Sequence, residues 1–208
     1  MADTLDIITL QAGVTAALGV DGGNHDEAIA QAITAISRRI DDLCGPVVSR
    51  AVTEYHDGGG CSIVPRRTPV DTVTTLKEYD GSSTTTLTAD SFGTVNSDGY
   101  RLQQREYAHE CEILRTDLGD VAYFPTGFDA VELVYAAGRY ANTAAVDERF
   151  QVACQSILRR MWDREAGAWG RAADPFEEGL APSSRFFNAV DHIVNEQLGK
   201  DKRPPASG

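Results

Sequence analysis

Apolar residues recur along 26–44 with the period of a helix. Ile29, Ile33, Ile36, Ile40 and Leu43 are spaced four, three, four and three apart, so all five share one helical face. Gly45 can take the left-handed conformation that closes a helix, and Pro46 cannot continue one. The pattern then changes to the two-residue alternation of a strand over 47–55. The opposite junction lies at 130–140, where Ala-Val-Glu-Leu-Val-Tyr-Ala-Ala-Gly-Arg-Tyr leads into an Arg-rich helix. Helices therefore bracket a β-rich middle.

The same reading extends to the rest of the chain. Thr9 is the expected N-cap of a short helix within about 9–19, and Asp21-Gly22-Gly23-Asn24 is a turn before a long helix over 25–44. The β-rich stretch is 47–140. Strands are expected at 47–55, 61–64, 70–79, 100–102, 110–115 and 130–136. Asp80-Gly81 is the strongest hairpin signal, followed by a Ser/Thr run that is either the return strand or a mobile tip. Asp98-Gly99 marks a second turn. With no helical crossover between them, the strands are expected to pair antiparallel.

A third helix is expected over 144–167, where Val146, Phe150, Ala153, Cys154, Ile157, Leu158 and Met161 follow the helical period. A Gly-, Ala- and Pro-containing linker spans 169–182. The last helix starts at Ser183 or Ser184 and carries an apolar stripe of Phe186, Phe187, Val190, Ile193, Val194 and Leu198. The tail after Lys200 is polar and is expected to be disordered. The fold class is thus α+β: a helical bundle bracketing a β-hairpin-rich middle with a small antiparallel sheet, plus a C-terminal amphipathic helix. The expected organisation is one domain over 1–168, the linker, and a docking helix with its tail at 183–208.

A chain of 208 residues can bury one good core. Its 42% hydrophobic and 24% charged content are those of an ordinary soluble protein. No apolar run approaches the roughly 20 residues that span a bilayer. The N-terminus, Met-Ala-Asp-Thr-Leu-Asp, lacks the basic-then-apolar order of a signal peptide. The expected location is the cytoplasm or a particle assembled there. The net charge of −12, from 19 basic and 31 acidic residues, repels phosphate at long range. It serves either plain solubility or a surface past which DNA slides without sticking.

Catalytic signatures are missing. Gly58-Gly59-Gly60 is not followed by Lys-Ser or Lys-Thr, so it is no phosphate loop, and no G-x-S-x-G elbow occurs. His25, His56, His109 and His192 lack ligand spacing, and neighbours such as His109, Glu110 and Cys111 point to alternate faces of a strand. Asp41, Asp42, Glu54 and Asp57 are either a Mg²⁺-holding set or a solvated edge. Asp41 and Asp42 also sit at the helix end where the dipole disfavours acids. Cys44, Cys61, Cys111 and Cys154 show no C-x-x-C spacing and are expected to be free thiols. No cofactor, metal site or catalytic residue is assigned. The last helix has two readings: it folds back on its own domain, or it docks in a partner's groove.

Four segments in order carry a resemblance: Ser-Arg-Arg-Ile-Asp-Asp-Leu-Cys-Gly-Pro (37–46), Val-Ser-Arg-Ala-Val-Thr-Glu-Tyr-His-Asp-Gly (48–58), Val-Pro-Arg-Arg-Thr-Pro-Val-Asp-Thr-Val (64–73) and Val-Glu-Leu-Val-Tyr-Ala-Ala-Gly-Arg-Tyr (131–140) before the Arg-rich helix. This resembles the head-to-tail connector, or adaptor, proteins of long-tailed bacteriophages and prophages, over roughly residues 5 to 170. The resemblance implies a virion structural protein of the neck, without enzymatic activity. It implies a homo-oligomeric ring, commonly of twelve copies, beneath the portal protein. The ring extends the DNA channel, passes genomic DNA without sequence-specific binding, and offers a platform for stopper or tail-completion proteins. Family members grip the portal with terminal segments, which implies portal binding by Phe186, Phe187, Val190, Ile193 and Val194. A ring needs two different side surfaces that meet head to tail, and the β-rich arms and the mixed-charge helix at 146–166 are the candidates. The competing readings are a stopper or tail-completion protein, a Mg²⁺-dependent enzyme, and a binding module of a host bacterium.

Overall fold

The computed structural model describes residues 5–9, 12–19, 25–91, 93–104, 111–169, 184–199 and 201. The chain divides into two compact units: 1–48 together with 140–208, and 49–139. Most of the expected linker (169–182) and most of the tail lie outside the described residues.

The first unit is helical. It contains α1 (Ala12–Ala17), α2 (Asp26–Cys44), a 3₁₀ turn (Thr143–Ala145), α3 (Glu148–Trp169) and α4 (Ser184–Gln197). Ile29, Ile33, Ile36 and Ile40 of α2 are buried with Phe150, Ala153, Cys154, Ile157 and Leu158 of α3. Val190, Ile193 and Val194 of α4 complete this core. Each such aliphatic side chain contributes roughly 1.5–3 kcal/mol on leaving water. Leu43, the last residue of the α2 stripe, is only partly buried at the margin. The segment 5–9 is tied down by polar contacts. Ser37 Oγ accepts from the Ile7 amide at 3.0 Å. The Asp6 carboxylate accepts from the Thr34 hydroxyl at 2.9 Å, and the Asp6 carbonyl from the Thr143 hydroxyl at 2.6 Å.

The end of α2 accounts for its misplaced acid. Gly45 has φ +86°, and its amide donates to the Asp41 carbonyl at 2.8 Å. The Asp41 side chain is buried and accepts from the Val47 amide at 2.8 Å. A carboxylate that satisfies a backbone donor as the chain leaves the helix outweighs a mild dipole penalty. Asp42, beside it, is exposed.

The second unit is an eight-stranded sheet: β1 (Arg50–His56), β2 (Ser62–Ile63), β3 (Val70–Asp80), β4 (Ser83–Ala89), β5 (Gly99–Gln104), β6 (Cys111–Asp117), β7 (Asp120–Val121) and β8 (Val131–Ala137). The order is β1-β8-β3-β4-β5-β6-β2, with β7 also on β6. Strand β8 lies between β1 and β3 and buries Val131, Leu133, Tyr135 and Ala137 on its alternate positions. These pack with Val70, Leu76, Leu87, Tyr100, Ile113 and Phe124. Asp80 pairs with Ser83, so Gly81 (φ +60°) and Ser82 form the β3–β4 turn and the Ser/Thr run is a return strand. The Thr68–Pro69 bond is cis.

One expectation is corrected. Strands β4 and β5 pair parallel, Thr88 with Gly99 and Ala89 with Tyr100. A long helix is not needed for this crossover, because 90–98 forms its own compact loop. Ser91 and Thr94 exchange backbone bonds at 3.0 Å, and Asp90 Oδ1 accepts from the Asn96 amide at 2.9 Å. The chain thereby reverses twice within nine residues and re-enters in its original direction.

Replacing Asp41 with Ala leaves the buried Val47 amide unpaired and is expected to lower stability by about 1–2 kcal/mol. Asp42→Ala is expected to change it by less than about 0.5 kcal/mol. Urea denaturation of the two variants checks this contrast.

Candidate functional site

The C-terminal stripe has a definite seat. Val190, Ile193 and Val194 are fully buried against α2 and α3, so in the folded unit they are core residues. Arg39 of α2 grips Asp191 of α4 in a two-pronged pair, with Nη2 at 2.8 Å from both carboxylate oxygens and Nε at 3.0 Å from Oδ1. Of the two sequence readings, folding back is the one the helix adopts. The side chains of Phe186 and Phe187 lie outside the described residues.

The carboxylates singled out by sequence serve separate structural roles. Asp41 caps the exit of α2. Asp57 accepts from the Asp129 amide at 3.1 Å. Glu54 is buried in the sheet, where its Oε1 accepts from the Tyr135 hydroxyl at 2.6 Å and its Oε2 from the Arg66 amide at 2.9 Å. His56 Nε2 lies 3.1 Å from the same Oε2, and the Arg67 amide donates to Tyr135 Oη at 3.0 Å. Burial, then the bond to Glu54, pushes the Tyr135 phenol above its usual range. Among the described residues, no group of three His, Cys, Asp or Glu side chains is placed to hold a metal ion.

A second polar cluster secures the parallel crossover. Arg115 is buried on β6, and its Nε donates to Glu78 at 2.7 Å. Its Nη2 donates to Asp98 at 3.0 Å, and its Nη1 to the carbonyls of Gly99 and Thr116. Asp90 is held below the usual carboxylate range, first by the Thr116 hydroxyl at 2.7 Å and then by bonds from Asn96. Sequence reasoning missed Arg115 because its partners lie 17 and 37 residues away along the chain. An Arg on a strand between apolar positions was the available signal.

The three buried thiols, Cys44, Cys111 and Cys154, are inert by placement. All four cysteines are free. Burial pushes Cys111 up to about 11 and Cys154 up to about 12.

The β unit also exposes several large apolar side chains. Phe128 is 93% exposed, and Tyr123, Leu118, Val121 and Val64 are also open to solvent. The loop carrying Phe128 is braced. Gly58 donates to the Gly127 carbonyl at 2.9 Å, and a Cβ at Gly58 would sit 1.6 Å from the Pro125 carbonyl oxygen. Only glycine fits there. Phe128 is thus an apolar side chain held in solvent on a braced loop. Among the described residues, no helix is long and apolar enough to cross a membrane.

Two solved structures share this fold. A chain in the neck of an empty GTA particle, computed with C6 symmetry, matches 93% of this chain and 92% of its own length at TM-score 0.55 and 18% identity. A chain in the virion of a native gene transfer agent (GTA) particle matches 97% and 96%, at TM-score 0.53 and 18% identity. No family model matches the chain, and no curated protein does. The likeness runs end to end and covers the helical unit as well as the sheet. It agrees in fold with the connector resemblance carried by the sequence.

The lowered pKa of Asp90 has a signed consequence. Its folded value lies below its unfolded one, so it adds stability above about pH 4 that is lost as pH falls through the folded value. Asp90→Ala is expected to be less stable than the parent at pH 7, and the gap should close towards pH 2. Urea midpoints across that range check the trend.

Proposed function

We propose that this chain is a structural component of a virus-like particle neck: a head-to-tail adaptor that forms a ring beneath the portal. It is assembled in the host cytoplasm, extends the DNA channel and supplies the platform for stopper or tail proteins. The observation that carries this reading is the end-to-end fold likeness to a chain of a particle neck. Six-fold symmetry in that neck is compatible with six or twelve copies. The net charge of −12 supports passage of DNA without adhesion. The chain acts here by binding, not by catalysis. A stopper or tail-completion role is the second reading, and the long bracketing helices favour the adaptor.

Electron microscopy of the purified protein, alone and mixed with its portal, tests the proposal. Closed rings with an opening wide enough for duplex DNA are the expected outcome. A protein that stays monomeric beside a competent portal removes the adaptor reading and brings the stopper forward.

Portal contact through Phe186, Phe187, Val190, Ile193 and Val194 belongs to the same proposal, with one requirement added by the packing. The last three are core residues, so the contact needs α4 to leave α2 and α3, breaking the Arg39–Asp191 pair. Replacing Val190 with Asp would bury a charge and unfold the bundle, so it is no test of docking. Joining Arg39→Cys to Asp191→Cys with a short bis-maleimide, in a Cys61→Ser background, locks the helix in place. Portal binding is expected to drop by about tenfold or more. Unchanged binding would show that α4 is not the gripping segment.

A further inference from the structure

The two edges of the β unit are protected unequally. An edge strand offers a row of unpaired backbone donors and acceptors, and proteins blunt it with short strands, charges, proline or bulges. Beyond β6 the outer strands β2 and β7 are two residues each, Pro65 follows β2, and exposed Asp117 and Asp120 face each other. At the other edge stands β1, seven residues long and paired with β8 without a register shift. It contains no Lys and no Pro. Among the described residues, no strand lies on its far side.

The register fixes which groups face outward. The Tyr79 amide donates to the Ala130 carbonyl and the Gly138 amide to the Pro69 carbonyl, so the even-numbered residues of β8 bond to β3. The odd-numbered ones bond to β1, where they stand opposite Arg50, Val52, Glu54 and His56. The amides and carbonyls of Ala51, Thr53 and Tyr55 are therefore directed away from the sheet. All three residues are exposed, and their side chains share one uncharged face. Arg66 Nη2 reaches the Tyr55 carbonyl at 3.4 Å, a long bond from an exposed side chain that water can replace.

We propose that β1 pairs antiparallel with β1 of a second copy, about a two-fold axis at Thr53. This register uses all three outward residues: Thr53 faces the partner's Thr53, and Ala51 faces the partner's Tyr55 on both sides of the axis. Fit selects the occupant. The Tyr55 ring, 46% exposed, lies opposite the smallest side chain of the strand, and two threonines are a favourable cross-strand pair. No like charges meet on that face, although the whole chain carries −12. On the inner face, Arg50 stands opposite the partner's His56 and Val52 opposite the partner's Glu54. Glu54 is already held by the Tyr135 hydroxyl and the Arg66 amide. Among the described strands of a second copy, β2 and β7 are too short to offer an equal edge. The pair closes on itself, so it is not the contact that repeats around a ring. It is the form of the free chain, and it does not rest on the neck reading.

Sedimentation equilibrium of the full chain without portal tests the inference. A dimer is expected, and it should dissociate on dilution because one strand pair buries a small area. Thr53→Lys sets two ammonium groups against each other across the axis and keeps every bond to β8. Its dimer dissociation constant is expected to rise about tenfold or more, with an unchanged circular dichroism spectrum. Thr84→Lys, an exposed change on β4, is the control and should dimerise like the parent. Amide exchange locates the contact: Ala51, Thr53 and Tyr55 should exchange more slowly at high than at low concentration. A free parent that is monomeric at about 1 mM, or that assembles past a dimer, overturns the inference. So does a Thr53→Lys variant that dimerises as tightly as the parent. Protection of those amides only after portal is added would assign the edge to a different protein and overturn it as well. Ring formation on the portal is a separate outcome, so the neck reading stands or falls independently.

Discussion

The architecture depends on how the helical unit tolerates a ninety-one-residue interruption between Val48 and Tyr140. Closing a flexible loop of that length carries a length-dependent cost of about 4 kcal/mol. The β unit removes most of it, because its first and last strands are partners. Arg50 stands opposite Ala137, and the register runs without a break to His56 and Val131. Once the sheet has folded, its two ends emerge side by side. The Tyr140 amide then donates to the Val47 carbonyl at 3.0 Å, and Val48 bridges Tyr140. With α2 and α3 brought together, the isoleucine face of α2 finds Phe150, Ile157 and Leu158 at low entropic cost.

Charge inside this protein is used for position. Arg115, Glu78 and Glu54 are all buried, and each has partners that satisfy it. Arg115 and Asp90 between them hold Asn96 and Asp98 in place, and with them the parallel pairing of β4 with β5. Such networks add less to net stability than to specificity, since an unpaired member would cost several kcal/mol. They leave the exterior free to be apolar at chosen points. Phe128 and Leu118 are exposed on loops whose backbones are held by glycine contacts and side-chain bonds.

Local rules made much of this legible from sequence. The spacing of Ile29 to Ile40 gave α2 and its buried face, Gly45 and Pro46 gave its end, and Asp80-Gly81 gave a hairpin where β3 and β4 meet. The illegible features are those that depend on distant partners. Nothing near Asp41 indicates that it turns back to the Val47 amide. The pairing of β1 with β8 joins residues about eighty positions apart, so the division into two units is invisible to periodicity. An apolar stripe reports only that α4 must be covered, not by what, and its own bundle covers it. The exposed tip at Leu118 was missed for the converse reason. Leucine in a short turn reads as core until its backbone angle and its exposure are known.

The adjacency of the ends of β1 and β8 also has a mechanical meaning. When two antiparallel strands are pulled apart from the same end, their hydrogen bonds meet the force one pair at a time, as in a zipper. The Val47–Tyr140 bond would part first and the Arg50–Ala137 pair next. Tension applied between α2 and α3 therefore meets little resistance from the sheet. What opposes it is the broad apolar contact between those helices, where many side chains must separate at once. Load applied between α2 and α3 is therefore carried by the helical core, and the register of the sheet is not what limits it.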